Sequence, residues 1–279
     1  MKKSLKSLLI LLCISTLSLA QDFQGKAIYK TASKMDIKWE GAGMDPAMQK
    51  QMQDMMTKQS QKEFTLAFDA YNSLYTLNES LEASGPQGGG IMIVGFSAGG
   101  SDEIYKNTKA KTYSSGKDLF GKPFVVKGEL ESIDWKLTKE TKQIGQYTCY
   151  KATYEREQKS FSSFMMDNEE KGKADTLTTI INVEAWYTPE IPVAHGPQMY
   201  WGLPGLVMEV KDGGRTIICT EVTLNSKDKL EIKEPTKGKV IDEKSFEKLM
   251  NEKMEEMNKM NSGGKKKGNA HTMSITIDG

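Results

Sequence analysis

Gly95-Phe-Ser-Ala-Gly99 follows the apolar run Ile91-Met-Ile-Val94 and has the form G-x-S-x-G. That form describes a nucleophile elbow, a strained strand-to-helix turn exposing a serine hydroxyl on an α/β-hydrolase sheet. Ser97 would need a base, and chain order offers His195 or His271. The surrounding chain argues against this chemistry. An elbow runs into a helix, yet Ser101 to Tyr113 carries no 3.6-residue period and reads as two short strands. The chain before Ser97 also lacks the alternating strands and helices that build a parallel sheet. His195 falls among prolines and glycines, and His271 in a polar tail. Ser97 is therefore expected in a glycine-rich loop over 84–101, and hydrolysis at Ser97 with His195 is the weaker of two alternative functions.

Sulfur offers the other chemistry. Asp45-Pro46 makes a helix start, since aspartate caps and proline suits the first turn. Met44, Met48, Met52 and Met55 follow at helical spacing within an insertion over 35–61. Thioethers select copper(I), which makes metal handling the first alternative. One methionine per turn, with no Cys or His nearby, better suits an adaptable apolar face packed on the sheet or on a partner. No cofactor is expected. Cys149 and Cys219 lie in strand-like segments, and an exported chain would favour a disulfide between them. Two separate thiols are the other possibility, because bridging requires Cα atoms within about 7 Å.

The densest punctuation lies between Ile191 and Val210. Pro192, Pro197, Pro204, Gly196, Gly202 and Gly205 crowd into a span that ends in the apolar run Leu206–Val210. Proline fixes φ and glycine opens positive φ, so this is expected to be a rigid corner with one conformation. Pro192, Pro197, Gly202, Leu203, Pro204, Gly205 and Leu206 form its structural motif. Trp186, Tyr187, His195, Tyr200 and Trp201 are the candidate binding residues, either lining a pocket or capping the core. Trp201-Gly-Leu-Pro-Gly-Leu-Val207 resembles the signature of the GLPGLI family of secreted Bacteroidetes-type proteins, with Val207 where the family name has Ile. Trp186-Tyr-Thr-Pro-Glu-Ile-Pro192, His195-Gly-Pro197 and Trp135 through Ala152 extend the resemblance. It implies a hairpin crossing the sheet over Trp135–Ala152 and no established activity.

The elements that must hold these residues are mostly strands. Phe23–Lys34, Phe64–Leu77 and the glycine-punctuated stretch from Glu103 to Thr153 alternate as antiparallel strands do. Thr178–Tyr187 feeds the corner, and Asp212-Gly213-Gly214 signals a tight hairpin turn after it. Asp242 or Ser245 starts a helix over 242–260 with Phe246, Leu249, Met250 and Met254 on one face. These elements predict a mainly β (α+β) domain over 21–262. It is read as a curved antiparallel sheet resembling a half-barrel, with two or more amphipathic helices packed on one side. A flexible basic tail over 263–279 follows.

Residues 1–20 read as a signal peptide, with Lys2, Lys3 and Lys6 before Leu8–Leu12 and a cleavage site at Ser18-Leu19-Ala20. The apolar core is too short to span a bilayer of ~30 Å, so no transmembrane span is expected. The formal charge of +1 includes those three lysines, leaving +1 − 3 = −2 after cleavage. Such a balance argues against nucleic acid as partner. The expected protein is a non-enzymatic periplasmic or secreted binding or accessory protein, in either case able to associate with the outer membrane. Its partner would be an apolar ligand or a cell-envelope protein held under methionine-faced helices.

Overall fold

The computed structural model describes residues 23–33, 36–38, 45–47, 50–51, 54, 61–78, 101–160, 177–226, 229–262 and 274–276. Two meanders meet on the first strand, β1 (Gln24–Ser33). On one side run β3 (Lys62–Asp69), β4 (Asn72–Leu77), β5 (Ser101–Asn107), β6 (Thr112–Leu119) and β7 (Lys122–Glu129). On the other run β12 (Arg215–Leu224), β11 (Leu206–Asp212), β10 (Leu177–Thr188), β9 (Tyr147–Ser160) and β8 (Lys136–Ile144). Every pairing among these is antiparallel. A short β13 (Lys239–Asp242) adds in parallel to β7, completing an open twelve-stranded sheet with edges at β13 and β8. A separate two-stranded ladder joins β2 (Asp36–Lys38) to β14 (Ser274–Thr276).

Turn chemistry sets the registers. Gly213 takes φ +57 between β11 and β12, and Gly145 takes φ +59 between β8 and β9. Left-handed backbone of this kind closes tight hairpins, and glycine accepts it without a Cβ penalty. Period-two burial then decides the faces. Ala27, Tyr29, Phe64, Leu66, Phe68, Tyr75 and Ile104 all turn inward. Leu206 to Val210 are buried on both faces of β11.

The mainly β class stands, but the sheet does not carry two or more packed helices. The only complete helix among the described residues is α1 (Glu243–Ser262). Asp242 caps it, accepting from Ser245 N at 2.9 Å and Ser245 Oγ at 2.7 Å. Phe246 packs on Leu119, Phe124 and Val126 at the β6–β7 end of the sheet. Asp45 Oδ1 accepts from Ala47 N at 2.9 Å, as a cap should, and Pro46, Ala47, Lys50, Gln51 and Asp54 are helical and exposed. Met44, Met48, Met52 and Met55 lie outside the described residues, as do the signal peptide, the 84–100 loop with Ser97, and His271. A second helical cover is unnecessary for a physical reason. The chain between β10 and β11 itself lies over the sheet, with Ile191, Val193, Tyr200 and Leu203 in the main core. Among the described residues no helix is long and apolar enough to cross a membrane.

The disulfide is also corrected. Cys149 and Cys219 are free thiols, both buried. They sit on β9 and β12 with β10 and β11 between them. Two strands therefore separate them in the sheet, and no bridge joins them. Burial pushes the Cys149 thiol up to about 11 and that of Cys219 up to about 12. Native protein should therefore alkylate at least a hundredfold more slowly than a free cysteine peptide, because the thiolate is the nucleophile. Denaturing it without reductant should release two reactive thiols, and release of none would restore the bridge.

Candidate functional site

The corner crosses the inner face along a single register row. Phe68, Ser73, Lys106 and Tyr113 are successive cross-strand partners on β3, β4, β5 and β6. His195 packs on Phe68, with ring centroids 6.2 Å apart. Residues 196–200 lie over Lys106, and Trp201 joins Tyr113, Leu130 and the partly buried Ile133 in a small cluster. The corner is stitched locally as well. Gly202 N donates to Ala194 O at 3.1 Å, Leu206 N to Ile191 O at 3.0 Å and Val207 N to His195 O at 3.0 Å. Gly202 has φ +90 and Gly205 φ +158.

Lys106 was missed by motif reading and is the polar centre of this packing. It is fully buried, and its ammonium donates to Gly196 O at 2.7 Å, Gln198 O at 2.6 Å and Tyr200 O at 3.3 Å. Burial pushes its pKa down to about 7, while the three carbonyls pull the other way by binding the charged form. A fully exposed chain could not fix these carbonyls; one cation here replaces the ladder bonds that an irregular segment lacks. Parity carried the missing signal: Ile104 and Lys106 are two apart on one strand, so an inward Ile104 places Lys106 inward.

His195 is equally buried. Nε2 lies 3.1 Å from the Asp69 carbonyl, which makes it the protonated nitrogen, and Nδ1 has no partner among the described residues. Burial, aided by the Lys106 charge, pushes its pKa down to about 3. It is a neutral core histidine at physiological pH and is not presented to solvent as a base.

The other candidates separate. Trp186 is buried in the main core cluster, with Lys142 Nζ 4.3 Å from its ring centre and its Nε1 donating to Glu184. Tyr187 faces Tyr150 at 6.2 Å. Tyr200 and Trp201 instead wall an open cavity of about 740 Å³ beside the corner. Tyr113 and Tyr154 add two more rings to it. These residues come from β6, β9 and the corner, so no local pattern announces the cavity.

Its wall is fixed by polar contacts. Trp201 Nε1 donates to Glu131 O at 3.0 Å, and Trp135 Nε1 donates to Trp201 O at 2.9 Å. Arg156 grips Asp212 through Nε and Nη2, and Tyr200 OH donates to the same carboxylate at 2.5 Å. Burial and that carboxylate push the Tyr200 hydroxyl well above its ordinary pKa. Gln198 holds φ +47 in the wall and accepts from Arg215 at 3.3 Å. With Arg156 and Asp212 neutralising each other, the remaining charges are Glu129, Glu131, Asp134, Glu155 and Glu243 against Lys136. The cavity is thus aromatic-walled and acidic. Among the described residues no three His, Cys, Asp or Glu converge as a metal-binding group.

The pattern of a family described as a protein of unknown function (Porph_ging) matches residues 135–209. That span starts at Trp135 and contains the corner, and it is compatible with the GLPGLI resemblance. No curated protein matches the chain. Among solved structures, PNGF-II in a C2 space group is similar, with 14% identity and a TM-score of 0.47 over 82% of this chain and 32% of that one. PNGF-II in a P21 space group gives 15% identity and a TM-score of 0.46, over 82% and 33%. The chain spans about a third of the length of those structures.

Proposed function

We propose that the protein is a non-enzymatic binding protein of the cell envelope or exterior, and that its site is the acidic aromatic cavity beside the corner. The observation that carries this reading is the excess of five carboxylates over one lysine around four aromatic rings. Cations are held over aromatic faces, and a field of one sign steers oppositely charged partners. The partner segment expected from the sequence is accordingly a basic one, presenting lysine or arginine. The lining does not suit an acyl chain. Export rests on the lysines and the Ser18-Leu19-Ala20 site of the first twenty residues.

Titration of the full chain with a lysine- and arginine-rich decapeptide, followed by tryptophan fluorescence, tests the site. Saturable binding that weakens with salt is expected. Reversing two exposed rim charges, Glu131→Lys with Asp134→Lys, should lower affinity about tenfold or more at low salt without changing the melting temperature. Equal binding of an acidic peptide, or indifference to the double reversal, would sink the proposal.

A further inference from the structure

A second concavity lies at the opposite end of β6 and β7, and its turn breaks a local rule. Phe120 and Gly121 join these strands with φ +53 and +78. Positive φ at both turn residues is type I′ geometry, which favours asparagine followed by glycine. Asp118 Oδ1 completes the turn by accepting from Gly121 N at 2.7 Å. A bulky aromatic residue is sterically costly in this region. Of the four non-glycine residues with positive φ among those described, Phe120 alone is large and apolar. Its ring does not compensate by filling the core, since it is 41% exposed. Folding would favour asparagine at 120, so the turn does not account for the phenylalanine.

That ring stands at an open groove of about 350 Å³ between the hairpin and α1. Leu119, Phe124 and Leu249 form the apolar lining, and Lys122, Lys253 and Glu256 edge it. Lys253 is paired with Glu256 at 2.5 Å, whereas Lys122 makes no salt bridge among the described residues. Lys117 stands 5.0 Å over the Phe246 ring of the same cluster, where burial pushes its pKa down against Glu243 and Glu247. The end of the sheet therefore combines an apolar slot, an exposed aromatic gate and an uncompensated cation.

We infer that this groove binds a single-chain anionic amphiphile of the fatty-acid type. Its hydrocarbon lies against Leu119, Phe124 and Leu249, Phe120 closes over it, and its carboxylate meets Lys122. A basic segment of the kind assigned to the acidic cavity is excluded here by the sign of the rim, so the two sites are independent.

Calorimetric titration of the full chain with dodecanoate, below its micelle concentration, tests this. Saturable 1:1 binding is expected. Phe120→Asn should weaken it at least tenfold while leaving the melting temperature equal or higher, because asparagine suits the turn. Lys122→Glu should weaken dodecanoate at least tenfold and leave dodecyltrimethylammonium unaffected or tighter. The Glu131→Lys, Asp134→Lys protein should bind dodecanoate as the unaltered chain does, which separates this site from the cavity. The inference is overturned by absence of saturable binding, by equal affinity for the anionic and cationic chains, or by a Phe120→Asn protein of unchanged affinity. Sedimentation with phosphatidylglycerol vesicles in the absence of dodecanoate binding also overturns it, in favour of a surface contact.

Discussion

Gly205→Ala should destabilise the protein by about 4 kcal/mol or more, enough to abolish the folded state of a marginal domain. A Cβ at this position would stand 2.1 Å from the Thr188 carbonyl oxygen, 2.5 Å from its carbon and 2.8 Å from Pro189 N. All three are backbone atoms at the end of β10, so relief requires moving the strand rather than rotating a side chain. Gly202 provides the control. It has φ +90, yet a Cβ there would meet nothing within 4 Å. Gly202→Ala should therefore show only the conformational penalty, about 1 kcal/mol. Urea melts of the two variants give the comparison. Similar losses would mean that β10 yields easily and that the corner is less rigid than its contacts imply.

This contrast also shows what the sequence could and could not disclose. Clustered prolines and glycines announced an irregular, conformationally fixed segment, because each limits backbone dihedrals locally. The strands of both meanders were legible for the same reason: alternation and turn residues act over a few positions. The cover of the sheet was not. Apolar periodicity marked methionine-faced helices as available lids, but Ile191, Val193, Tyr200 and Leu203 of the corner occupy that inner face. A segment without period gives no signal of how much apolar area it will bury. The cysteines failed similarly, since Cys149 and Cys219 each read correctly as strand residues while their separation depends on strand order. The cavity is the extreme case. Tyr113, Tyr154 and Trp201 meet only because the corner follows one register row, and register between distant strands is a long-range property.

The acid limb of the stability profile should be governed largely by His195. Its folded-state pKa, about 3, lies below the ordinary 6.5 of the unfolded chain. Between those values the unfolded state binds a proton that the folded state refuses. The contribution is complete above about pH 6.5 and is lost as the pH falls, at up to about 1.4 kcal/mol per unit and approaching about 5 kcal/mol near pH 3. The geometry supplies the cause. Charging His195 would place a second cation in a buried site that already holds the Lys106 ammonium, and Nδ1 has no acceptor waiting for its new proton. Only Asp69 favours the charged ring, through its carbonyl at Nε2, which is already engaged in the neutral form, and through its charge, and burial outweighs both. Urea unfolding at pH 7.5, 5.5 and 4.5 should thus show a falling free energy, with about one extra proton taken up on unfolding. His195→Gln removes the titrating group and should flatten that slope by the same single proton, whatever its cost at pH 7.5. An unchanged slope in the variant would assign the acid sensitivity to groups other than His195 and sink this prediction.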